Sequence, residues 1–156
     1  MRATVAFVVL SISALVFGQA SEKAAIEKVL QNQVQAWNGH DLEAFMTGYW
    51  NSPSLTFFSG DQVAKGWQAA LDRYRKRYQG EGREMGKLEF SDLQIEVLGP
   101  DSAFVRGGWK LTMTDAKTPH GLFTLIFRKS PDGWKIVHDH TSAAENKSLR
   151  KAGTQE

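Results

Sequence analysis

The stretch Gly133-Trp134-Lys135-Ile136-Val137-His138-Asp139-His140-Thr141-Ser142 reads with a period of two. Trp134, Ile136, His138 and His140 share one parity; Lys135, Val137 and Asp139 share the other. Successive side chains of an extended chain point to opposite faces. The spacing therefore predicts a strand with Trp134, Ile136, His138 and His140 on an inner face and Asp139 turned away. Pro131-Asp132-Gly133 just before it is a turn signal. Upstream, Phe123, Leu125 and Phe127 alternate with Thr124 and Arg128, with Ile126 out of pattern. Val105, Trp109, Leu111 and Met113 alternate with Arg106, Lys110 and Thr112. Beyond the turn Gly99-Pro100-Asp101, Leu93, Ile95 and Val97 alternate with Asp92, Gln94 and Glu96. These are four long strands of an antiparallel meander, each with one apolar face.

Before Gly82 the period is helical. Ile26, Val29, Leu30, Val34 and Trp37 form one apolar stripe over Ser21–Asn38, with Ser21 as the expected N-cap and Gly39 as the stop. Asp41 is placed to cap a short second helix carrying Leu42, Phe45, Met46 and Tyr49, ended by Pro53. Leu55 to Phe58 is a short strand candidate. A third helix over Gly66–Gln79 carries Trp67, Ala70, Leu71, Tyr74 and Tyr78 on its apolar side. Three N-terminal helices followed by a four- to five-stranded meander make an α+β fold, helices packed on one face of a strongly curved antiparallel sheet. Such a sheet encloses a cone-shaped hollow.

The chain start has its own composition. Arg2 is the only charge before Glu22, and twelve of the fifteen residues from Ala3 to Phe17 are apolar. Gly18 and Ala20 put small residues at −3 and −1 of a cut before Ser21. A positive start, a short apolar stretch and a small-x-small end describe a signal peptide over residues 1–20. The apolar stretch falls short of the roughly 20 residues that span a bilayer. The expected product is a secreted or periplasmic domain over residues 21–142, with no stable membrane anchor after cleavage and a loose tail over 143–156.

Composition excludes whole classes of function. The 156 residues carry 19 Lys+Arg against 17 Asp+Glu, too even a balance for a polybasic nucleic-acid binder. There is no cysteine, hence no disulfide, thiol nucleophile or zinc-thiolate site. No glycine-rich phosphate loop and no Gly-x-Ser-x-Gly elbow occurs. No cofactor is expected.

Three strings carry a family resemblance: Trp37-Asn38-Gly39-His40-Asp41-Leu42, Gly66-Trp67, and the closing Gly133–Ser142 string. With this element order, the chain over about residues 22–142 resembles the nuclear-transport-factor-2-like (NTF2-like) superfamily, and within it the SnoaL-like (DUF4440) group. The resemblance implies a cone-shaped pocket and a homodimer formed through the outer sheet face. It implies no single activity, because members include isomerases, dehydratases, polyketide cyclases and binding modules. Ketosteroid isomerases of this fold use a helix-1 tyrosine, a strand aspartate base and a later acid. At the matching positions this sequence has Gln33, then Phe57 and Phe58, and no carboxyl group between Leu122 and Arg128.

The candidate site residues follow from parity and aromatic content. Tyr49, Trp50, Phe57, Trp109, His138 and His140 are expected to line an apolar pocket that takes a small apolar or aromatic molecule. His140, near-neutral in ordinary pKa, is the candidate general acid or base. Both histidines also fit a purely structural role. A metal is not expected at His138 and His140, because Asp139 faces away and supplies no third ligand. His40 and His120 read as solvated turn residues, and Arg73, Arg75, Lys76 and Arg77 as a solvated helix face. The function expected first is an exported small-molecule-binding domain. The alternatives are a dehydratase, cyclase or isomerase using His140, and a dimerisation or interaction module with a vestigial pocket.

Overall fold

The computed structural model describes residues 4–144, with side chains described from Gly18 onward. The expected loose tail, from its third residue on, lies outside the described residues. Helix α1 spans Thr4–Asn38 and α2 spans Leu42–Met46. A hairpin follows, β1 over Thr56–Ser59 and β2 over Gln62–Lys65. Helix α3 spans Trp67–Tyr74 and continues as a π-helical turn over Arg75–Gln79. Four strands of eleven residues complete the fold: β3 over Lys87–Val97, β4 over Ser102–Thr112, β5 over His120–Ser130 and β6 over Gly133–Ala143. No helix among the described residues is long and apolar enough to cross a membrane.

The six strands form one sheet in the order β2-β1-β6-β5-β4-β3. All neighbours are antiparallel except β1 and β6, which run parallel. The sheet thus has one strand more than the sequence predicts. The extra strand is β2, whose Gln62-Val63-Ala64-Lys65 is mostly exposed and too short to show a period. The core lies between the sheet and the helices. Ile26, Leu30 and Trp37 of α1 and Leu42, Phe45 and Met46 of α2 pack towards Val105, Leu125, Phe127, Trp134 and Ile136 of the sheet. The amphipathic stripes read from the sequence are the surfaces that meet.

Two local features of the helices matter. Asp41 caps α2 as expected, its carboxylate accepting from the Ala44 N–H at 2.8 Å. Ser21 does not cap α1, because the helix begins earlier and runs through it. Its hydroxyl donates instead to the Gly18 carbonyl at 2.8 Å, the local bond a serine makes inside a helix. Among the residues whose side chains are described, the first buried one of α1 is Ile26, and Glu22 one turn earlier already accepts from Lys129 and from the Trp134 indole.

Two strands carry register shifts. One lies in β3 between Ser91 and Gln94, where Asp92 has φ 53°. The other decides the site. In the β5–β6 ladder Ile126 faces His138 but Phe127 faces Ile136, so Val137 is an extra residue on β6. A bulge of this kind reverses the side-chain parity beyond it.

Candidate functional site

The bulge at Val137 overturns the expected placement of the closing strand. Trp134 and Ile136 are buried, as their parity requires. Past the bulge Asp139 turns inward and is 3% exposed, while His138 and His140 turn to the outer face. His138 is half-buried there, with Nδ1 2.7 Å from the Thr56 hydroxyl and its ring against Phe58. Partial burial, and then the neighbouring His140, hold its pKa below the ordinary imidazole value. His140 is exposed beside Thr124 and Phe58. Neither histidine lines the hollow. Among the described residues, no three metal-ligating side chains gather around a common point.

The hollow lies between the sheet and the helices and holds about 100 Å³ of free space. Trp37 enters it from α1, Phe45 from α2 and Phe57 from β1, with Tyr74 and Tyr78 from α3 and its π-helical turn. These rings pack edge to face: Trp37 lies 5.2 Å from Phe45 and 4.8 Å from Tyr78. Trp37 is fixed by its indole N–H, which is 3.2 Å from the Met85 and the Gly86 carbonyls. Leu88, Leu111, Phe123 and Leu125 supply the sheet wall.

Of the expected lining residues, Tyr49, Phe57 and Trp109 do face the hollow. Trp109 stands near the rim and donates its indole N–H to the Ser142 carbonyl at 2.9 Å. Trp50 is not part of the lining. Its backbone N–H donates to the Ile136 carbonyl, and the Ile136 N–H donates to the Gly48 carbonyl, both at 2.9 Å. This pair locks the chain around Tyr49 onto β6 and turns the Trp50 side chain away.

That same lock aims Tyr49 at Asp139. The Tyr49 hydroxyl donates to one Asp139 oxygen at 2.7 Å, and the Thr141 hydroxyl donates to the other at 2.7 Å. The Tyr74 hydroxyl lies 3.3 Å from that of Tyr49. Asp139 is the only carboxyl group in the lining. Burial raises its pKa to about 6, against the opposing effect of the two hydroxyl donors. Burial, with the nearby Asp139 charge, pushes Tyr49 well above the ordinary phenol value, so it stays a donor. A buried carboxyl group that titrates near neutrality, held by two donors in an aromatic hollow, is equipped to carry a proton.

Three further lining residues emerge only in the structure. Gln33 is 2% exposed, lines the hollow, and donates to the Phe45 carbonyl at 3.3 Å. Arg73 and Arg77 also line the hollow, at the rim, so the expected solvated helix face is divided. Arg75 alone pairs outward, with Glu43 at 2.5 Å. A signal for Asp139 was present in the sequence. The adjacent apolar pair Ile136-Val137 breaks the alternation, as a residue inserted into a ladder must.

Known proteins support the same frame. Residues 26–145 match the family described as SnoaL-like domain. An NTF-2 like protein of unknown function from Shewanella oneidensis is 36% identical with TM-score 0.71, covering 77% of this chain and 98% of that one. An NTF2-like superfamily protein from Salmonella enterica is 18% identical with TM-score 0.64, covering 88% and 99%. A ketosteroid isomerase-like protein from Erwinia carotovora is 20% identical with TM-score 0.63, covering 79% and 96%. The last two likenesses show the fold alone. No curated protein matches the chain.

Proposed function

The chain belongs to the SnoaL-like domain family of the NTF2-like superfamily, and on that premise we propose that it is an exported domain that binds a small, mainly apolar molecule in its hollow. One observation carries this reading: aromatic rings from α1, α2, β1 and α3 surround free space that contains a single carboxyl group. A mostly apolar hollow with a few convergent polar groups is the usual form of a small-molecule site. Its size sets the scale of the occupant. A cavity of roughly 150 Å³ holds one benzene, so free space of about 100 Å³ sets the scale at a single ring or a short chain, with the rest of the molecule reaching the mouth, and is far below that of a four-ring steroid. Export rests on the Gly18-Gln19-Ala20 motif before Ser21.

Trp37 and Trp109 report on occupancy, since both line the hollow. Titration with benzyl alcohol, followed by tryptophan fluorescence, is expected to saturate in the wild type. Binding is expected to weaken in Phe57→Trp, which takes up part of the free space. A flat wild-type titration with both neutral and charged single-ring probes overturns the reading. Amino-terminal sequencing of the exported protein should begin at Ser21.

A second reading is favoured by Asp139. A hydrogen-bonded carboxyl group with pKa about 6, facing an apolar hollow, suits general acid–base catalysis of the dehydratase, cyclase or isomerase kind. Asp139 takes the place the sequence offered to His140. Turnover would then follow the ionisation of Asp139 and be lost in Asp139→Asn.

A further inference from the structure

The rim of the hollow has a charge that its interior does not explain. Arg73 is half-buried and Arg77 exposed, and both line the opening beside Ser59 and Ser142. They are four residues apart, so they lie on one side of the helix. Like charges at this spacing repel each other. Neither forms an ion pair among the described residues, whereas Arg75 between them bonds Glu43. Arg73 spends one N–H on the Ser59 carbonyl, at a long 3.4 Å, and lies over the Phe57 ring. Arg77 reaches only the Tyr78 hydroxyl, at 3.2 Å, and lies over that ring. Most of the donors of both guanidinium groups are therefore unspent at the mouth of an apolar hollow. A guanidinium presents a planar fork of donors that matches a carboxylate.

We propose that the hollow takes a single-ring or short-chain carboxylic acid, with its apolar body among Trp37, Phe45, Phe57 and Tyr78 and its carboxylate at the rim between Arg73 and Arg77. The inference rests on the binding function proposed above and names its ligand class. The polarity of the occupant follows from the lining. Asp139, the only acidic group, lies deep beside Tyr49, and the only two cations lie at the rim. An anionic end directed inward meets Asp139; directed outward it meets two cations. The π-helical turn over Arg75–Gln79 contributes by carrying Arg77 and Tyr78 together onto the hollow side.

The test compares benzoate with benzyl alcohol, a neutral molecule of nearly the same shape, on the full chain by tryptophan fluorescence at low salt. Benzoate is expected to bind at least about tenfold more tightly, with the advantage shrinking as salt rises. Arg73→Gln and Arg77→Gln should each weaken benzoate about fivefold or more while changing benzyl alcohol less than about twofold. Arg75→Gln, on the outward-paired residue, should change neither. Should Arg73→Gln fold poorly, Arg77→Gln decides, because that side chain is exposed. Equal binding of the two probes, or benzoate affinity unchanged in the arginine variants, overturns the inference. Binding of benzyl alcohol without benzoate overturns the carboxylate alone and leaves the binding function standing. Failure of both probes removes both.

Discussion

Asp139 holds its proton more tightly in the folded chain than in the unfolded one, with pKa moved from the ordinary 3.8 to about 6 by burial. Over that interval the native state binds more protons than the unfolded state, so stability falls as pH rises through it. The shift corresponds to about 3 kcal/mol, present below about pH 4 and lost above about pH 6. Asparagine at this position keeps an oxygen for the Tyr49 hydroxyl and has no charge to bury. Urea unfolding of the wild type and Asp139→Asn from about pH 4 to about pH 7 should therefore show the wild type losing roughly 3 kcal/mol relative to the variant. A constant difference between the two would place the carboxyl group in water and remove it from the proton-carrying role. His140 supplies the contrast. It is exposed on the outer face, so His140→Ala should change stability by no more than about 0.5 kcal/mol and leave probe binding unchanged. A residue that parity singles out thus behaves as a surface side chain, and the group buried in the hollow is its neighbour Asp139.

The reversal of those two roles is a property of strand β6, and it marks where the sequence can be read and where it cannot. The helix stripes are legible because they are local. Ile26, Leu30, Trp37, Leu42, Phe45, Ala70 and Leu71 recur at helical spacing, and all are buried. The inner faces of β4 and β5 are legible for the same reason, with Val105, Leu111, Phe123, Leu125 and Phe127 buried in strict alternation. Phe57 reaches the hollow from the short strand that the sequence places there, whereas Tyr49, expected on the second helix, lies past its end and is held by its bridge to Ile136. The bulge at Val137 is not local. It is fixed by pairing with Ile126 and Phe127 on one side and by β1, more than seventy residues upstream, on the other. No glycine marks the position, and the only trace is the doubled apolar pair Ile136-Val137. Arg73 and Arg77 were hidden for a related reason, since charge on a helix says nothing about which side overhangs a hollow. Deleting Val137 tests the account of the strand. Removing the extra residue makes Ile136 and His138 adjacent, so the Phe127–Ile136 and Ile126–His138 pairs join in one regular ladder, with Asp139 still inward and both histidines outward. The deletion should therefore keep the pH dependence that Asp139 confers and lower stability by no more than about 2 kcal/mol by urea unfolding. Loss of that pH dependence would mean that Val137 is not the residue inserted into the ladder.

At the scale of the whole molecule, the outer sheet face is covered by no helix of the described chain, and its apolar content needs an explanation. Ile126 is 42% exposed beside its β4 partner Phe104 and near Val137, both half-buried, and Leu122 further along β5 is 68% exposed. The bulge adds His138 and His140 to this face, and β1 adds Phe58. Charged residues stand towards its β3–β4 margin, where Arg106 meets Glu96 and Lys110 meets Glu89. An apolar centre with a charged margin is the composition of a protein interface. A two-fold axis through such a face would let the same patch serve both partners, the commonest arrangement in soluble homo-oligomers. The ends of β6 and β1 contribute to both faces of the sheet. Asp139 and Phe57 point into the hollow, while His140 and Phe58 point out from the neighbouring positions. Association across the outer face would therefore brace the strands that carry the site without covering its mouth. Light scattering on the purified chain should give about twice the monomer mass at micromolar concentration. Ile126→Glu buries a charge at the centre of that contact, so it should shift the protein to monomer while leaving its circular dichroism unchanged. Since the hollow lies on the opposite face, the monomeric variant should still bind the single-ring probe, with affinity within a few-fold of the wild type. A wild-type monomer, or an Ile126→Glu variant that stays dimeric, would move the association surface elsewhere on the fold.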